Sequence, residues 1–96
     1  MKEIIKKLIA FRDERNWEDF HTPPNLARSI MIEGAELNRN FQWGPEWKSP
    51  DIENVADEVA DVMIYCLTMC HELGVDPEKI ILQKIEKNGI KYPVKP

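Results

Sequence analysis

The chain has 96 residues, 13 Lys or Arg against 17 Asp or Glu, and a formal charge of −4. That length bounds it to one domain, residues 1–96, without a second core. The acidic balance and the lack of a basic run exclude a surface that tracks nucleic-acid phosphates, and no apolar run approaches the roughly 20 residues of a membrane span.

Met1-Lys2-Glu3-Ile4-Ile5 is charged and amphipathic, unlike the apolar stretch of a signal peptide. Cys66 and Cys70 lie in the most apolar stretch without a Cys-x-x-Cys pattern, as small hydrophobes do in a reducing compartment. A soluble, cytoplasmic protein is expected.

From Lys2 to about Arg15, Ile4, Ile5, Leu8, Ile9 and Phe11 recur with helical spacing and predict a first amphipathic helix. Asn16 to Pro24 is a connection, with Thr22 as cap and prolines that block continuation. A second helix runs from near Pro24 to about Asn40. Gly44 and Pro45 then mark a loop, and Ser49-Pro50-Asp51 reads as a start signal with a capping hydroxyl, Pro in the first turn and an acid. The third helix extends to Leu73, stopped by Gly74. Asp76-Pro77-Glu78 starts the fourth, which reaches about Asn88 before Gly89. No stretch alternates with strand period, so the fold class is all-α, a four-helix bundle. From Val62 to Cys70 the third helix is apolar nearly all round and needs cover on more than one side, which predicts a dimer or higher assembly.

Two acidic pairs sit on the apolar faces of the second and third helices. Glu33 and Glu36 are three apart beside Leu26, Ile30 and Leu37, and Glu58 and Asp61 are three apart beside Val62, Tyr65 and Met69. An unpaired buried carboxylate costs several kcal/mol even after relaxation, so four turned toward a core require cations. Lys or Arg partners are one solution, a divalent metal the other. All-oxygen ligands suit Mg²⁺, Mn²⁺ or Ca²⁺ over Zn²⁺ or copper. The di-iron alternative needs Glu-x-x-His, which the chain lacks.

Other side chains carry two readings each. Lys84 and Asn88, with Tyr92 four residues on, suit one end of an anionic ligand or a solvated helix face. Trp17, Trp43 and, less so, Trp47 suit stacking on a planar ligand or local packing. Tyr65, two turns beyond Glu58, suits orienting a ligand group or burial with a satisfied hydroxyl. His21 suits a ligand contact or a cap. His71, near the end of the third helix, has the ordinary role of a side chain favoured by the helix dipole.

Taken together, Phe11-Arg12-Asp13-Glu14-Arg15-Asn16-Trp17-Glu18-Asp19-Phe20-His21, Asn25-Leu26, Glu33-Gly34-Ala35-Glu36-Leu37, Phe41-Gln42-Trp43, Asp57 through Tyr65, and Lys84 through Asn88 to Tyr92-Pro93 resemble the MazG-like nucleoside triphosphate pyrophosphohydrolases. The resemblance is strongest to their dCTP pyrophosphatase branch and spans nearly the whole chain. It implies an α-helical bundle assembled as a homodimer or as a tetramer of two dimers. It also implies Mg²⁺-dependent hydrolysis of a (deoxy)nucleoside triphosphate, dCTP or a related pyrimidine nucleotide, to monophosphate and pyrophosphate, with Mn²⁺ as a second possible ion. By resemblance, Glu33, Glu36, Glu58 and Asp61 hold metal. Trp17, Trp43 and Tyr65 surround the nucleotide with His21 and Asn25, and Lys84, Asn88 and Tyr92 reach the phosphates. Glu33 or Glu36 takes the proton of the attacking water. Gly34, where many relatives carry a second Glu, and the short loop from Gly44 to Ser49 depart from the pattern. The rival expectation is a helical dimerisation or antitoxin-like module without catalysis, its acids spent on intersubunit salt bridges.

Overall fold

A computed structural model of the chain describes residues 1–42 and 51–96. The first helix, α1, is Lys2–Glu14. Its inward stripe is Ile5, Leu8 and Ile9, half-buried, continued one turn on by Arg12, which is buried, while Ile4 and Phe11 face outward. Asn16 turns the chain with a φ of 57°, a left-handed conformation that Asn tolerates better than most residues. A short 3₁₀ turn, Glu18–Phe20, follows.

Thr22 then caps α2, Pro23–Arg39, its hydroxyl accepting from the Asn25 amide at 3.4 Å. The third helix, α3, is Ile52–Leu73, and its cap is Asp51, whose carboxylate accepts from the Asn54 amide at 3.2 Å. The cap is therefore the acid of the expected start signal. Ser49 and Pro50 lie outside the described residues. Gly74, at φ 68°, ends α3 in the left-handed conformation that spares glycine a Cβ clash. Asp76 caps α4, Pro77–Lys91, accepting from the Glu78 and Lys79 amides.

Gly89 does not end the last helix, contrary to the sequence expectation: α4 runs through it to Lys91. A glycine inside a helix costs only about 1 kcal/mol relative to alanine, too little to stop a formed helix. The stop comes from Pro93, which disfavours helical backbone at the preceding Tyr92, found at φ −124°, ψ 70°.

The all-α, four-helix architecture is as expected, but one chain does not close a bundle. α2 and α3 pack along each other, α1 crosses α3, and α4 packs along none of them. The hairpin is antiparallel, since the His21 ring meets Tyr65 at one end and Asn40 meets Asn54 at the other. The radius of gyration, 16.3 Å, exceeds the roughly 12.5 Å of a closed domain this long. Leu26, Leu67, Cys70 and Pro77 are the buried apolar side chains among the described residues. Met63 and Ile64 on α3, and Ile80, Ile81, Leu82 and Ile85 on α4, are exposed. Cys66, expected as a packed hydrophobe, is exposed too, on the uncovered side of α3, and Cys70 four residues on is buried. No helix among the described residues is long and apolar enough to cross a membrane.

Candidate functional site

Antiparallel packing of α2 on α3 sets their acidic pairs opposite each other. One carboxylate oxygen from each of Glu33, Glu58 and Asp61 lies within 4.8 Å of the other two. Glu33 and Glu58 are half-buried and Asp61 is exposed. None of the three is in an ion pair among the described residues, so protein cations do not neutralise the cluster. Burial, then the charges of Asp61, Glu58 and Glu36, push the Glu33 carboxyl above the ordinary carboxylate range. Three oxygens this close repel one another unless a cation stands between them. An all-carboxylate donor set of this kind suits a hard divalent cation.

Glu36, the fourth acid, stands one turn along α2 outside this group, with the Arg39 guanidinium 3.4 Å from its carboxylate. Beyond it the hairpin opens into a cavity of about 360 Å³ lined by Glu36, Arg39, Asn40, Gln42, Asn54 and Glu58. Asn54 Nδ2 donates to Asn40 Oδ1 at 2.6 Å across the helices, and Asn40 Nδ2 donates to the Leu37 carbonyl at 3.1 Å.

At the other end of the acids, His21 and Tyr65 are half-buried, with ring centroids 6.3 Å apart and edge-on at 76°. His21 Nδ1 is buried with no hydrogen-bond partner. Burial and the nearby Arg12 charge hold the imidazole below its usual pKa, against an opposing pull from Glu72. Arg12 itself is clamped between Glu72 on α3 and Asp13, the latter at 3.0 Å.

The remaining predicted residues are spread more widely. Trp17 packs on Phe11, ring centroids 5.8 Å apart, with the Arg15 guanidinium 3.5 Å over the Phe11 ring, a separate cluster at the end of α1. The Asn25 side chain is committed to the backbone turn, its Nδ2 donating to the Phe20 carbonyl at 3.1 Å and its Oδ1 accepting from Arg28 at 2.8 Å. Trp43 and Trp47 lie outside the described residues. Lys84 and Asn88 are exposed on α4, and Tyr92 is exposed just past its end; α4 does not pack along the acid-bearing hairpin of its own chain.

Sequence reasoning missed Arg12–Glu72 and the Arg39–Asn40–Asn54 group. A signal for the first was present, because Arg12 continues the Ile5–Leu8 stripe. Nothing in the local pattern announces the second, since two asparagines 14 residues apart meet only once the hairpin forms.

Residues 28–96 match the MazG-like family. The chain is 35% identical over 100 residues to dCTP pyrophosphatase 1 of Rattus norvegicus, and 35% identical over 99 residues to that of Homo sapiens. Those alignments take in 96% and 95% of this chain and 59% and 58% of the relatives, so the chain spans little more than half the length of the curated relatives it matches. A crystal structure of a pyrophosphatase from Archaeoglobus fulgidus superposes with a TM-score of 0.91 at 40% identity, covering 98% of this chain and 93% of that one. With all four acids inside the matched stretch and the fold shared almost end to end with a solved pyrophosphatase, this chain belongs to the MazG-like family.

Proposed function

We propose that the protein hydrolyses a (deoxy)nucleoside triphosphate, dCTP or a related pyrimidine nucleotide, to the monophosphate and pyrophosphate, with Mg²⁺ held by Glu33, Glu58 and Asp61 and approached by Glu36. The observation that carries this is the convergence of three carboxylates without a Lys or Arg partner among the described residues. The rival interaction module would spend those acids on cations of a second subunit and would cleave no nucleotide. Support for the substrate class comes from the similarity to dCTP pyrophosphatase 1.

A divalent ion in such a site supplies neutralisation of the phosphate oxygens and of the departing pyrophosphate. The chain's own residues bind, orient and move the proton. Glu33 or Glu36, whichever is not fully committed to the ion, accepts it from the attacking water. Tyr65 and His21 form a wall for the base, with Trp17 and Trp43 elsewhere around the nucleotide. Lys84, Asn88 and Tyr92 engage phosphates when chains assemble into a dimer or a tetramer of two dimers, which also covers the exposed apolar faces of α3 and α4.

The test is a nucleotide panel with pyrophosphate detection, run with Mg²⁺ and with Mn²⁺. Pyrimidine deoxynucleoside triphosphates are expected to turn over fastest. Glu58→Gln and Asp61→Asn are each expected to lower kcat by at least about 100-fold with helical content unchanged. Parent-like turnover by either variant refutes the metal assignment.

A further inference from the structure

Three levels of the α2–α3 hairpin lie in line. His21 meets Tyr65 at one, Glu33 meets Glu58 and Asp61 at the next, and Asn40 meets Asn54 at the last, beside Arg39. Tyr65 to Asn54 is eleven residues of one helix, roughly 16 Å at 1.5 Å per residue. That is about the reach of a base, sugar and three phosphates laid end to end.

We propose that the cavity beyond the acids is the seat of the terminal phosphates, with Arg39 and Asn54 holding the pyrophosphate end of a metal-bound triphosphate. This rests on the hydrolase reading above and adds to it the direction in which the substrate lies.

The chemistry of the walls supports that occupant. Arg39 presents five N–H donors in a fork that matches phosphate oxygens. Its single ion pair among the described residues, with Glu36, is exposed and weak, so it yields to a stronger anion. Asn54 is fixed by one amide N–H on Asn40 and keeps the other for a ligand. Asn40 is spent on orienting Asn54, and is a positioning residue. Glu36 and Glu58 on the same walls repel a bare anion but accept one that arrives with its cation, so the cavity selects metal-complexed polyphosphate. The cavity lies at the small end of the ~300–1,000 Å³ range of ligand clefts, ample for two phosphates.

The experiment titrates inorganic pyrophosphate into the parent protein and into Arg39→Gln and Asn54→Ala with Mn²⁺ present, and separately titrates Mn²⁺ alone. Both variants are expected to bind pyrophosphate at least tenfold more weakly, with Mn²⁺ affinity not weakened. Pyrophosphate affinity within twofold of the parent overturns the proposal. So does a parallel loss of Mn²⁺ affinity, which would place the effect at the acids. The nucleotide panel decides the hydrolase reading separately: a parent that cleaves triphosphates while the variants keep pyrophosphate affinity leaves that reading standing and removes the subsite. A parent that cleaves none removes the reading, while the titration still decides whether the cavity binds pyrophosphate.

Discussion

Glu33 is where the local electrostatics are least comfortable. Three like charges face it from α2 and α3, and its surroundings are only half wet, so its ionised form is disfavoured by burial first and by Asp61, Glu58 and Glu36 after that. In the metal-free protein this is a standing cost. Glu33→Gln removes it, and in EDTA the variant is expected to gain about 1 kcal/mol, or roughly 4–8 °C in Tm. The same variant is expected to lose most of the stabilisation that Mn²⁺ gives the parent, since a ligand stabilises only as far as it binds the native state. Differential scanning calorimetry with and without Mn²⁺ reads both effects. A Glu33→Gln protein less stable than the parent in EDTA would show that Glu33 has a compensating partner.

At the level of elements, the attachment of α1 is narrow. It crosses α3 at one place, and there the buried Arg12 reaches Glu72. Arg12 is 4% exposed, so neutralising Glu72 leaves the guanidinium in a nearly dry setting with Asp13 as its remaining anionic partner. Glu72→Gln is expected to cost about 2 kcal/mol in urea unfolding, less than a fully buried pair because the Glu72 side chain keeps 28% of its exposure. The helices themselves were legible from local pattern: caps at Thr22 and Asp76, the stop at Gly74 and the apolar periods are all short-range signals. So were the acids, because their placement on an apolar face contradicts the ordinary cost of burial. What was not legible depends on tertiary register. Arg12 on the inner stripe of α1 finds Glu72 sixty residues away, and Asn40 finds Asn54 across the hairpin. The end of α4 is set by Pro93 and not by Gly89 four residues before it, a balance between two local signals that the pattern alone does not weigh.

For the whole molecule, the exposed apolar stripe of α4 matters most. Ile80, Ile81 and Ile85 recur at helical spacing on a helix that packs along no other helix among the described residues of its own chain. If assembly covers that stripe, Ile81→Glu with Ile85→Glu is expected to shift the sedimentation coefficient from that of an oligomer to that of a monomer, and to lower kcat/KM by at least about tenfold through loss of Lys84 and Asn88 from the site. Unchanged sedimentation would put the interface elsewhere. The small interior has one more consequence. If a second chain covers the α4 stripe, part of the free energy that holds the fold comes from that contact, because few apolar side chains are buried among the described residues of one chain. Its melting point then belongs to a solution of given strength, climbing as the protein is concentrated and sinking toward nanomolar assay conditions.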